Sequence, residues 1–272
     1  MHKKTLTLVG CGSMGSALIR GWFNADLQET LGHITIITPH PDRVKPLLDN
    51  PPIPMTCLDS PSKLTHTPDI LFFAVKPQVL GGILNYYKDH ITHNTLIMSV
   101  VAGKELSVYQ KAFPENPIIR TMPNIPATVA QAMTGLLGTQ HASSEDRALA
   151  EGLMSAIGHV VWVASDDDMD RITAVSGCGP AYVFLLTEAL ERAALSLGLT
   201  STTAAEIARQ TIIGSAAYLR HSSESSQTLR QQVTSLGGMT EAALRYLHAN
   251  NRFAIMMEEA VKIAYERARE LK

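Results

Sequence analysis

Five short, nearly continuous apolar runs constrain this chain more than any other feature. TLTLVG (5–10), HITIIT (33–38), DILFFAV (69–75), TLIMSVV (95–101) and PIIRTM (117–122) are each bounded by turn residues. A run without alternation reads as a strand covered on both faces, as in a parallel sheet. Between the runs, MGSALIRGWFNA and QVLGGILNYYKD carry apolar residues at helical spacing. Strands alternating with helices imply an α/β sheet wound by right-handed crossovers. AMTGLLG (132–138) and HVVWV (159–163) read as closing strands around a helix near 144–157.

After Ser165 the segments read as helices between caps. Pro180 sits in a first turn and opens a helix to about Leu197, which Gly198 stops. Thr203 and Glu206 are spaced as a capping box for a helix to about Leu219. A serine-rich turn, HSSESSQ (221–227), precedes a short helix to about Val233, and the last helical stretch carries Glu258 and Lys262 at i,i+4. Between these lies TSLGGMTEAAL (234–244), with two adjacent glycines where a helix connector needs one at most.

At 272 residues, 45% hydrophobic and 18% charged, the chain has apolar material for one or two ordinary domains. A formal charge of -2 gives no basic footprint, so neither nucleic acid nor membrane is expected as a partner. Cys11, Cys57 and Cys178 include no C-x-x-C pair and suit a reducing compartment. The basic start is followed by an apolar run that breaks at Gly10, too short for a signal peptide. No window approaches the roughly 20 apolar residues of a membrane span. The expected location is cytoplasmic.

Gly10, Gly12 and Gly15 form G-x-G-x-x-G between a strand and a helix, with Ser13 and Met14 inside the pattern. The first glycine permits a tight turn, the second lets the backbone approach a pyrophosphate, and the third allows helix and strand to pack closely. Alone the pattern is weak, since a plain glycine-rich strand–helix turn can share it. At the head of repeated strand–helix units, it points to a Rossmann-type dinucleotide-binding domain, expected over 1–164. An NAD-preferring site carries a carboxylate at the end of the second strand. Here Thr38 takes that position, while Asp42 lies further out beside Arg43. Arg43, with His40 near it, is placed to attract a 2′-phosphate. NADPH is therefore the expected preference, with NADH second; capping a surface helix is the other role open to Arg43. Three further strand exits face the ligand crevice of such a sheet: Val75-Lys76-Pro77, Ala102 in VVAGKEL, and Asn124 in RTMPNIPA. Lys76 is a cofactor contact or an ordinary solvated lysine.

The acidic run SDDDMD (165–170) suits the amino end of a helix better than a metal site, and no metal is expected. AYVFLLTEALERAALSLGL (181–199) is apolar around much of its circumference, more than a surface helix needs, so a partner's helices are expected to cover it in a homodimer.

GCGSMGSAL, AVKPQ, RTMPNIPA, TAVSGCGPAY and TSLGGMT, in this order and spacing, resemble the pyrroline-5-carboxylate reductase family. The resemblance spans nearly the whole chain; SGCGPAY (176–182) and the Gly-Gly loop are its most specific parts. It implies an all-α C-terminal dimerisation domain, expected here over 165–272, with larger rings of dimers in some members. It implies reduction of 1-pyrroline-5-carboxylate to L-proline, the last step of proline biosynthesis, with NADPH or NADH. It also implies that Ser235 and the amides around Gly238 and Met239, with Gly237 beside them, hold the substrate carboxylate, while the Thr240 hydroxyl reaches the ring nitrogen.

Consecutive N–H groups at a glycine-rich helix entry form an anion nest without a cationic side chain, which gives the Gly-Gly pair a purpose. A protonated imine accepts hydride readily, so such a site mainly aligns the reactants and excludes water. Thr240 would orient the ring nitrogen or relay its proton, and it is equally placed to N-cap the helix that follows. The loop departs from the family's usual proline and threonine at Leu236 and Met239. That removes a rigid residue and a hydroxyl, which bears on affinity rather than on reaction type. A β-hydroxyacid dehydrogenase joins similar domains but places a lysine base on the long helix, and Pro180 to Leu197 holds no lysine. A nucleotide-sensing protein without turnover would have no need of Thr240 and the loop glycines.

Overall fold

The computed structural model describes residues 3–271. Its strands are β1 (Lys4–Val9), β2 (Leu31–Ile37), β3 (Met55–Leu58), β4 (Ile70–Phe73), β5 (Leu96–Ser99), β6 (Ile118–Pro123), β7 (Ala132–Gly138) and β8 (Gly158–Trp162). They form one sheet of order β3-β2-β1-β4-β5-β6-β7-β8, parallel except for the β6–β7 pair. Every residue of β4 and β5 is buried, which is why those runs lack alternation. β3 is the strand that the apolar runs do not announce: it has four residues, lies at the sheet edge and buries none of them fully.

The helices of this part are α1 (Ser13–Asn24), α2 (Lys45–Leu48), α3 (Pro77–Ile83), α4 (Leu106–Ala112), α5 (Ser144–Ser155) and α6 (Asp166–Ile172). One face of the sheet packs Leu8, Ile36, Phe72 and Met98 against Leu18 and Trp22 of α1 and Leu153 of α5. Trp22 is fully buried and its Nε1–H donates to the Leu153 carbonyl at 3.0 Å. The other face gathers Val9, Leu71 and Phe73 with Tyr87, Tyr109 and Phe113. The helix expected over 78–89 is α-helical only to Ile83 and continues as a 3-10 helix, Leu84–His90. Gly81 and Gly82 fall where it tightens, and glycine is a poor α-helix former.

Two compact units divide the chain: one runs to Gly177 and includes the chain from Tyr265 on, and the other is Cys178–Ala264. The last strand ends at Trp162, beside the boundary expected at 164/165, but α6 and the π-helical turn Thr173–Gly177 remain with the sheet. Met169 of α6 is fully buried, its sulfur where a Cβ on Gly135 would lie 2.7 Å away.

The second unit holds α7 (Gly179–Ser196), α8 (Ser201–His221), α9 (Ser226–Gln232), α10 (Met239–His248) and most of α11 (Arg252–Glu270). α7 ends at Ser196, and Gly198 just beyond it, with φ of 90°, reverses the chain. The cap of α8 is Thr200, whose hydroxyl accepts the Thr203 N–H at 3.3 Å. The expected capping box at Thr203 and Glu206 therefore lies one turn inside the helix. The single final helix expected from the sequence is broken: Asn250 and Asn251 both take left-handed φ values, which asparagine tolerates. Within α7 only Ala194 is buried, and in α8 only Ala204 and Ala208, while α10 and α11 bury nothing fully.

Candidate functional site

In the first unit, the G-x-G-x-x-G turn is built by space as well as by φ. Gly10 has φ 90°, and a Cβ there would lie 2.7 Å from the Ala74 carbonyl oxygen. A Cβ on Gly15 would lie 2.8 Å from the Gly10 oxygen, so α1 sits directly on the turn. Gly12 is the opposite case: a Cβ would meet nothing within 4 Å. It caps α1 without a side-chain bond and leaves exposed backbone in front of the helix. The three glycines thus form a cradle open only at Gly12, which fits a dinucleotide's phosphates at a helix amino end. Ser13 is exposed and Met14 half-buried at the same end.

Thr38 follows β2, is 6% exposed, and spends its hydroxyl on the His40 N–H at 3.2 Å. It shapes the turn that carries Pro41–Arg43. There the Lys45 ammonium lies 2.5 Å from Asp42 in an exposed ion pair, and its hydrogen bond holds that carboxyl below its usual range. Arg43 is exposed and makes no ion pair among the described residues.

Val75, Lys76 and Pro77 follow β4, with Lys76 exposed at the entry to α3. Ala102 is exposed beyond β5. All these residues leave the carboxyl ends of β1, β2, β4 and β5, neighbours in the sheet, and the strand order reverses between β1 and β4. Asn124, beyond β6, is engaged on both sides: its Nδ2 donates to the Ser176 carbonyl at 2.8 Å and its Oδ1 accepts the Met133 N–H at 3.0 Å. It ties the RTMPN segment to the π-helical turn, so its amide is not simply free for a ligand.

The apolar-run reading passed over an anchor beneath this region. Arg120 of β6 is 3% exposed and lies 2.5 Å from Asp166 of α6, which also accepts the Leu106 N–H at 3.3 Å. Next to it, Tyr109 meets the Ser99 hydroxyl at 2.5 Å, and burial pushes its phenol up to about 12. The signal was present in PIIRTM: a cation inside a buried strand requires a partner. The other acids of SDDDMD are engaged too, Asp167 and Asp168 with Arg171, and Asp168 with the N-cap Ser165.

The Gly-Gly loop lies in the second unit, between α9 and α10. The Ser235 carbonyl accepts the Gly238 N–H at 3.0 Å, closing a four-residue turn whose third residue, Gly237, has φ 70°. Gly237 is needed for that φ; a Cβ on it would meet nothing. Gly238 is needed for room, because a Cβ would lie 2.5 Å from the Ser235 Oγ. The two glycines answer two different demands.

Neither glycine amide is open. The Gly238 N–H is used in the turn, and the Gly237 N–H donates to Glu241 Oε2 at 2.5 Å. The free donors at this helix entry are therefore the amides of Met239, Thr240 and Glu241, the first three residues of α10, which have no acceptor among the described residues. The N-cap is Gly238, not Thr240. Thr240 and Ser235 are exposed, and their hydroxyls make no hydrogen bond among the described residues.

Residues 5–103 match a family profile described as NADP oxidoreductase coenzyme F420-dependent, and residues 166–271 match pyrroline-5-carboxylate reductase dimerisation. A pyrroline-5-carboxylate reductase of Synechocystis sp. is 39% identical over 203 residues, 75% of each chain. This chain belongs to the pyrroline-5-carboxylate reductase family. The structure of a family member from Coxiella burnetii matches it with TM-score 0.90 at 31% identity, covering 100% of this chain and 99% of that one. Plasmodium falciparum pyrroline carboxylate reductase, solved with NADP bound, matches with TM-score 0.78 at 29% identity over 100% and 99%. The architecture is that of the family: a Rossmann-type nicotinamide-nucleotide domain followed by a helical dimerisation domain.

Proposed function

We propose that this chain reduces 1-pyrroline-5-carboxylate to L-proline with hydride from a nicotinamide cofactor, and that TSLGGMT is its substrate loop. The observation that carries the reading is at the head of α10: three amides and a threonine hydroxyl with no hydrogen bond among the described residues, and no lysine or histidine in the loop. The amides of Met239 and Thr240 and the Ser235 hydroxyl bind the carboxylate at the helix's positive end. The Thr240 hydroxyl orients the ring nitrogen and holds or relays its proton. When bound, the nicotinamide supplies the hydride. No side chain in the loop is a strong base, which suits an acceptor already activated as a protonated imine.

NADPH is the preferred cofactor, with NADH second. Arg43 is an exposed cation without an ion pair among the described residues, and the carboxylate beside it is paired with Lys45. Gly10, Gly12, Ser13, Met14 and Gly15 would face the pyrophosphate, and Val75, Lys76, Pro77 and Ala102 the rest of the cofactor. The working form is a homodimer, with rings of dimers as the larger assembly. Free cysteines fit a cytoplasmic setting.

The test is NADPH oxidation by the purified protein with the cyclic imine, read beside NADH and a β-hydroxyacid with NADP. Imine-dependent oxidation yielding one proline per NADPH, with higher kcat/KM for NADPH than for NADH, is expected. Turnover of the hydroxyacid, or of neither substrate, contradicts the function; a higher kcat/KM with NADH contradicts the preference alone.

A further inference from the structure

Glu241 stands where the substrate loop meets its helix, and its carboxylate is divided between two tasks. Oε2 accepts the Gly237 N–H at 2.5 Å, four residues back, across the Gly238 cap. Oε1 lies 3.7 Å from Arg245 one turn onward, and the carboxylate is 31% exposed while Arg245 is 79% exposed. α10 has no side-chain N-cap, since Gly238 holds that position, so Glu241 is the side chain that fastens the loop to the helix. A third-position glutamate reaching back to an amide ahead of a helix is a recognised capping device, normally paired with a Ser or Thr cap that is missing here. Two consecutive glycines are the most mobile backbone a loop can have, and Leu236 sits where a proline would stiffen the turn.

We propose that Glu241 is a positioning residue for the substrate: by holding the Gly237 N–H, it keeps that glycine left-handed and the Met239 and Thr240 amides converged on the carboxylate. The inference rests on reading TSLGGMT as the substrate loop. It assigns the bond, rather than the charge, the positioning role. A second negative charge at a nest meant for a carboxylate opposes binding, and Arg245 offsets it. Preorganisation of this kind acts on binding of the imine and leaves hydride transfer and the cofactor untouched.

The experiment compares Glu241→Ala and Glu241→Gln in the full-length enzyme. Glu241→Ala should raise KM for the imine about tenfold, the scale of one charge-assisted hydrogen bond, with kcat within about twofold and NADPH affinity unchanged. Glutamine can still accept the Gly237 N–H, so Glu241→Gln should return KM to within about threefold of the parent. A readout apart from turnover is the Gly237 amide proton by NMR, which should lie downfield in the parent and Glu241→Gln and move upfield in Glu241→Ala without substrate. Unchanged KM in Glu241→Ala, a glutamine variant no better than alanine, or equal losses in kcat, KM and melting temperature would each overturn the proposal. Ser235→Ala and Gly238→Val are the controls on the parent reading. If neither alters imine KM, the loop is not the substrate site, and the proposal falls with it even where the amide shift is seen.

Discussion

Gly10 and Gly12 are two residues apart, yet the structure makes opposite demands on them. At Gly10 both φ and space are restricted, so alanine would be strained against the Ala74 carbonyl. At Gly12 an added methyl would meet nothing within 4 Å, in the space that the proposed cofactor phosphates would take. Gly10→Ala should cost at least about 1–2 kcal/mol of stability. Gly12→Ala should melt like the parent and lose affinity for NADPH. Thermal unfolding beside a fluorescence titration of NADPH separates them; equal melting of both variants would contradict the account of the turn. The tight turn at Gly10 and the close packing at Gly15 were legible in the sequence, because G-x-G-x-x-G encodes backbone geometry directly. The Gly-Gly loop was less transparent. The pair could be read as a nest, but which amides remain open depends on the Glu241 side chain and the Ser235 carbonyl, and no spacing rule expresses that.

Among the elements, the continuous apolar strands could be read because burial on both faces leaves no alternation to misread. β3 could not, since an edge strand of four residues buries too little to leave a pattern. The cap of α8 was displaced for a related reason: Thr200, Ser201, Thr202 and Thr203 can all cap, and the reversal at Gly198 selects the first. The break at Asn250 was hidden because asparagine is also acceptable within a helix. The Arg120–Asp166 pair is the least visible feature and the most consequential for α6. Removing one partner strands the other in a protein interior. Arg120→Met should cost roughly 3 kcal/mol, and Arg120→Met with Asp166→Asn should recover part of that. Chemical denaturation of the two variants is the check; a single variant as stable as the parent would reduce the pair to a surface contact.

At the scale of the whole molecule, the helical unit is unfinished as a single chain. Phe184 and Leu185 of α7 and Ile263 of α11 are 60%, 65% and 65% exposed. By length and composition the run Asp166–Ser196 is apolar enough to cross a membrane, contrary to the expectation that no window approaches a span. That run lies inside the dimerisation match, and it retains Glu188, Glu191 and Arg192. A second copy is the covering we assign to it. Sedimentation velocity should find a dimer or a multiple of it, with activity lost as dilution produces monomer. A stable, active monomer would contradict this, and a protein recovered only with detergent would favour a membrane instead.

The central claim is that a sparse loop, with Thr240 as its one reactive-side hydroxyl, handles the imine. Its most direct measurement is the kinetics of Thr240→Ala beside a binding titration of NADPH. The account predicts a kcat/KM for the imine lowered about 10–1,000-fold, equivalent to about 1.4–4 kcal/mol, with NADPH affinity unchanged. Since Gly238 and not Thr240 caps α10, stability should change little. Near-normal turnover in a folded Thr240→Ala enzyme would contradict it.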